Sequence, residues 1–206
     1  MRETGRNLIR SAMRAVLGKH LYLSPETVPL SSAARHAPAL TLPGHTIGLS
    51  VSHEAGLTLA AIHRRGPIGI DVMRIQALPD WEPVAVNYLG RHAHQRILAM
   101  PALHRPLAFG REWTRVEASL KCLGLGLVEW TNLLDQQINR CETIELSLPD
   151  GLTGTVAISV SSQIPRQRAI HPETRRRQQQ RRRQMRPRHN QPPRKFTPLK
   201  QTHHFG

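Results

Sequence analysis

A change in character near residue 162 limits how much of this 206-residue chain can build a core. Beyond it, the runs Arg175-Arg-Arg, Gln178-Gln-Gln, Arg181-Arg-Arg and Gln191-Pro-Pro-Arg show no apolar periodicity. A segment of that composition buries too little apolar surface to offset the entropy of ordering, so 163–206 is read as a disordered Arg/Gln/Pro-rich tail. From Arg166 onward thirteen Lys and Arg face the single acid Glu173, which accounts for most of the formal net charge of +15. The body before it is nearly balanced. This is an ordinary globular sequence with a basic extension, not a histone-like chain.

Several classes drop out on the same grounds. No apolar run approaches the roughly 18 residues that a membrane span needs. The start, Met1-Arg-Glu-Thr-Gly-Arg-Asn, lacks the apolar stretch of a secretory signal. Cys122 and Cys141 have no metal-like spacing, so neither a zinc motif nor a disulfide scaffold is expected, and a reduced cytoplasmic compartment is the default. Nucleic acid could be engaged only through the tail, where arginines near phosphates would release counterions. With Phe196 and Phe205 as its only aromatics the tail offers no stacking platform, and an extension without function is the competing reading.

Along the body, 7–21 reads as an amphipathic helix with Leu8, Ala12, Ala15, Val16 and Met13 on one side. Arg6, Arg10 and Arg14 recur every fourth residue on another stripe, for which solvated helix surface is the plain reading. Strands are expected over 47–52, 57–63 and 67–72, with Gly56 and Arg65-Gly66-Pro67 turning the chain. A helical region over 80–100 and a second helix over 106–123, stopped by Gly124-Leu-Gly126, come next. Two strands, 143–148 and 153–160, flank the turn Pro149-Asp150-Gly151. The order helix, strands, helices, strands predicts an α+β fold.

Three stretches bear chemistry. In Trp113-Thr-Arg-Val-Glu117-Ala-Ser-Leu-Lys121, the residues Trp113, Glu117 and Lys121 recur every fourth position and share a helix face. By spacing alone, Glu117 and Lys121 could equally be a solvated ion pair worth about 0.3–0.5 kcal/mol. In Gly69-Ile-Asp71-Val-Met73, an acid at the end of an apolar strand is a helix cap, a turn residue or a carboxylate presented to a cation beyond the strand end. In Leu49-Ser-Val-Ser52-His53, strand alternation sends Ser52 and His53 to opposite faces, which argues against a Ser-His hydrolase.

Taken in order, these stretches resemble the motifs of the 4′-phosphopantetheinyl transferase superfamily, in its longer monomeric form that serves many carrier proteins. The family shows Leu-Ser-x-Ser-His, then Gly-Ile-Asp-x-Glu, then Trp-x-x-Lys-Glu-x-x-x-Lys. The resemblance covers about residues 6 to 160 and excludes the tail. It implies two similar α/β halves, 1–76 and 77–162, with the active site in the cleft between them. It also implies transfer of the phosphopantetheine arm of coenzyme A to a serine of an acyl or peptidyl carrier protein, releasing 3′,5′-ADP. By resemblance, Asp71 and Glu117 hold Mg²⁺, and Glu117 is also the base for the carrier serine. Lys121 sits against the phosphates, Arg14 and His53 meet the 3′-phosphate of coenzyme A, and Ser52 lines the same site. Such chemistry is mainly positioning and charge neutralisation, which a hard cation and a lysine supply.

The sequence also departs from the family pattern. Met73 stands where many members carry a second acid, Val116 where a lysine precedes Glu117, and Ala37 where a lysine is usual. Reduced affinity for coenzyme A is therefore expected, with Arg35, Arg111 and Arg115 as compensating candidates. The alternatives are a degenerate relative that binds coenzyme A or a carrier without turnover, and a nucleic-acid-associated protein acting through its tail.

Overall fold

The computed structural model describes residues 2–31, 38–54 and 56–159. They belong to one compact unit, Met1–Arg166. The expected tail 163–206, and Arg35 and Ala37, lie outside the described residues.

Helix α1 (Arg2–Leu21) is followed by a hairpin of β1 (Gly48–Glu54) and β2 (Leu57–His63), then by β3 (Ile68–Arg74). Helices α2 (Trp81–Tyr88), α3 (Arg91–Leu98), α4 (Arg105–Cys122) and α5 (Asn132–Ile138) come next, and β4 (Cys141–Glu145) and β5 (Leu152–Ser159) close the described chain. This is the expected mixture of helix and sheet, an α+β fold. No helix among the described residues is long and apolar enough to cross a membrane.

The sheets interleave early and late sequence. β1 and β2 pair antiparallel, with Leu49 opposite Ile62 and His53 opposite Thr58. β3 pairs antiparallel with β5, which also pairs with β4, giving the order β3-β5-β4. β1 lies beside β3 but is joined to it by serine hydroxyls: Ser50 Oγ accepts from Ile70 N (3.0 Å) and Ser52 Oγ from Val72 N (3.2 Å). Each step of two along β1 matches a step of two along β3, so these strands run parallel across the seam.

Helix α1 buries Met13 of the expected apolar side and corrects the rest of it. Leu8 is 67% and Val16 55% exposed, whereas Met13 (2%) and Leu17 (0%) are buried against Leu49 and Val28. Met13, Leu17 and Leu21 follow one another at i, i+4, i+8, and this row meets the β1–β2 ribbon and the segment after the helix. Each such buried side chain contributes about 1.5–3 kcal/mol. The helical region expected over 80–100 is two helices, because Gly90 takes φ +84°, a conformation unfavourable for other residues. A Cβ there would also lie 2.4 Å from Trp130 Nε1.

Helix α4 is the spine of the fold. It packs against β3 and β5 on one side, while Phe109, Val116 and Leu120 enter a core with Leu89, Ile97, Leu134 and Ile138 on the other. Its end follows the sequence signal: Gly124 (φ +69°) donates to Lys121 O and Leu125 N to Leu120 O, a Schellman closure. Gly69 allows the close approach of β3, since a Cβ there would lie 1.8 Å from the Ala118 carbonyl oxygen.

Candidate active site

Asp71 stands in the middle of β3 on the side facing α4. Gly69, Asp71 and Met73 alternate onto this side, and Ile68, Ile70 and Val72 onto the other. The last three are all buried, Ile68 and Ile70 in a cluster with Ala61 of β2. Two side chains from different elements converge on one Asp71 oxygen. Lys121 Nζ of α4 donates to Oδ1 at 2.5 Å, and Ser52 Oγ of β1 donates to the same oxygen at 2.9 Å. Lys121 also donates to the Ile70 carbonyl at 2.9 Å. The ammonium is thus held by a charge and a backbone dipole, and the carboxylate by a charge and a hydroxyl.

Ser52 has a double role in this arrangement. Its oxygen accepts from Val72 N while its proton goes to Asp71, so one hydroxyl closes the β1–β3 seam and orients the acid. Glu117 lies one helical turn before Lys121, which puts it on the same stretch of the α4 surface. Asp71 and Glu117 are each only 8% exposed. Buried carboxylates need partners or a cation, and Asp71 has Lys121 and Ser52.

The other expected site residues lie on the opposite side of β1. Leu49 and Val51 face α1, and alternation carries His53 to that side, where Nδ1 is 2.9 Å from Thr58 Oγ1. Arg14 projects from α1, partly buried, with its Nε shielded from solvent and without a hydrogen-bond partner. Ser52 thus meets Asp71, which Lys121 also reaches, while His53 stands on the other side of β1 beside Thr58. The period of two along a strand enforces the separation.

The departures from the family pattern also find places. Met73 packs against the apolar core beneath α4, beside Gly110. Val116 is 1% exposed in that same core, so position 116 points away from Asp71. Trp113 stacks on Phe109 with ring centroids 5.8 Å apart and meets Tyr88 edge-on at 6.4 Å. The tryptophan of the third motif thus anchors the helix, while Lys121, two turns on, reaches the acid.

Asp71 and Glu117 are the two buried carboxylates of this region. Among the described residues no group of three or more His, Cys, Asp and Glu could hold a metal, so a closed protein cage is absent there. Magnesium is commonly held by one or two carboxylates, with waters and substrate phosphates completing the octahedron. Asp71 and Glu117 are carboxylates of the kind such a site uses.

Residues 67–184 match the family ACPS, the 4′-phosphopantetheinyl transferase superfamily. The match spans more than half of the chain, and the protein belongs to this superfamily. It is a transferase of the phosphopantetheine class, from a family that uses coenzyme A, typically with a divalent metal, and acts on carrier proteins. The matched segment contains Asp71, Glu117 and Lys121, whereas Arg14, Ser52 and His53 precede it. No curated protein matches the chain.

Proposed function

We propose that this chain is an active, Mg²⁺-dependent holo-acyl-carrier-protein synthase that moves phosphopantetheine from coenzyme A to a carrier serine, releasing 3′,5′-ADP. The observation that carries the reading is the Asp71–Lys121 pair bridging β3 and α4, with Glu117 one turn away, in a member of this superfamily. Asp71 and Glu117 would hold the magnesium ion, which when bound supplies neutralisation of pyrophosphate charge. Lys121 is placed by the Ile70 carbonyl and can turn from Asp71 to a phosphate oxygen without leaving its anchor. Glu117 takes the proton from the carrier serine hydroxyl as its oxygen attacks phosphorus. Arg14 and His53 bind the 3′-phosphate from the α1 side, and the buried, unpartnered Nε of Arg14 supplies a donor for it.

The reading keeps two similar halves, 1–76 and 77–162, with coenzyme A in the cleft between them. Its support is the interlock of β3 with β5 and α4, which sets Asp71 of the first half against Lys121 of the second. A monomer in a reduced cytoplasmic compartment belongs to the same reading, and so does an acyl or peptidyl carrier as partner.

A second reading, a binder of coenzyme A or carrier without turnover, is favoured by one feature. Met73 is packed into the apolar core, so position 73 adds no acid beside Asp71. Transfer to an apo carrier separates the two: turnover that depends on Glu117 supports the first, and coenzyme A binding without turnover supports the second.

A further inference from the structure

The two cysteines of the chain, nineteen positions apart, meet where α4 ends and β4 begins. Cys122 is the last residue of α4 and is buried; Cys141 is the first residue of β4, at the sheet edge, and is partly exposed. They pack in one small cluster with Ala118 and Ala157. Ser159 stands opposite Cys141 across the β4–β5 ladder. Neither thiol takes part in the transfer chemistry described above.

We propose that Cys141 is an oxidative modification site with Cys122 as its resolving partner, so that a peroxide or a small-molecule disulfide converts the pair into a Cys122–Cys141 disulfide. The two side chains already pack in one cluster, so forming an S–S bond of about 2.05 Å asks only for a local adjustment. The division of labour follows from the surroundings. The hydrogen bond from Cys122 chiefly holds the Cys141 thiol below its ordinary range, against the opposing effect of burial, with Ser119 adding to the lowering. That same hydrogen bond, together with burial, pushes the Cys122 thiol up. Cys141 is the nucleophile that solvent reaches, and Cys122 waits behind it.

With hydrogen peroxide the Cys141 thiolate attacks one peroxide oxygen, the O–O bond breaks, and hydroxide leaves a sulfenic acid. The Cys122 sulfur then attacks the Cys141 sulfur, the S–O bond breaks, and water departs with the Cys122 proton. Two thiols are oxidised and one peroxide is reduced to two waters. With glutathione disulfide, Cys141 first forms the mixed disulfide and Cys122 displaces glutathione thiol. The product fastens the last turn of α4, which carries Lys121, to the sheet edge.

The test treats the folded, reduced full chain with hydrogen peroxide or glutathione disulfide, blocks residual thiols with N-ethylmaleimide, and analyses the tryptic digest by mass spectrometry. Cleavage after Lys121, Arg140 and Arg166 separates peptides 122–140 and 141–166. The expected product joins them with the loss of two hydrogens, runs as a monomer without reductant, and reverts with dithiothreitol. In Cys122→Ala, glutathione disulfide should leave a stable glutathione adduct on Cys141; the same digest of wild type keeps the idea testable if that variant folds poorly. Two alkylated cysteines after oxidant, peptides joined only in urea, or disulfide-linked dimers would each overturn it.

Discussion

Lys121 Nζ and Asp71 Oδ1 lie 2.5 Å apart although fifty residues separate them in the chain. The pair joins the strand that pairs with the last described strand to the helix that crosses both. Lys121→Met leaves the Asp71 carboxylate buried with Ser52 as its remaining named partner. The loss of a hydrogen bond to a charged group predicts destabilisation of about 1.5–3 kcal/mol, measured by urea unfolding. Transfer should fall by at least about 100-fold, in line with removing a preorganised charge from a phosphoryl-type transition state.

Ser52 tests whether orientation of the acid matters separately from its charge. Ser52→Ala removes the donor to Asp71 and the acceptor of Val72 N at once. Groups that orient a metal ligand typically contribute about 10–100-fold in metal affinity or activity. The variant should therefore need more Mg²⁺ for half-maximal transfer, with Asp71 and Lys121 intact. An unchanged magnesium titration would remove Ser52 from the positioning role.

Gly69 tests the packing that brings the site together. In Gly69→Ala the new methyl group would overlap the Ala118 carbonyl and lie 2.6 Å from Cys122 N, both backbone atoms. Overpacking against atoms that cannot rotate away costs about 1–3 kcal/mol or more. The melting temperature should drop, and activity should fall with it because α4 and β3 are forced apart.

The two thiols should differ in reactivity toward iodoacetamide at neutral pH. Cys141 lies below its ordinary range because Cys122 hydrogen-bonds to it, so its reactive thiolate fraction is larger. Peptide 141–166 should be alkylated before peptide 122–140. As pH rises the rate at Cys141 should level off first. In Cys122→Ala that levelling should move to higher pH, since the lowering hydrogen bond is gone.

Much of this arrangement was legible in the sequence because it depends on short-range signals. The stop of α4 at Gly124, the alternation that parts Ser52 from His53, and the spacing of Glu117 and Lys121 are fixed by backbone periodicity and turn chemistry. What escaped is tertiary. The buried side of α1 is set by what it packs on, and apolarity alone does not rank Leu17 above Leu8 and Val16. Helix α5 was missed; its signals were the cap Thr131, whose hydroxyl accepts from Leu134 N, and the pair Leu134 and Ile138. The serine seam between β1 and β3 was equally hidden, because Ser50 and Ser52 read as the polar face of a half-buried strand. The meeting of Cys122 and Cys141 needed the sheet order before it could be seen.

The proposed transfer of phosphopantetheine requires Glu117 and a magnesium ion together. The most direct measurement is intact-mass analysis of an apo carrier protein incubated with this protein, coenzyme A and Mg²⁺, with and without EDTA. A gain of one phosphopantetheine that EDTA abolishes and Glu117→Gln fails to produce is the predicted result. A folded wild type that binds coenzyme A yet adds no mass to acyl or peptidyl carriers would contradict it.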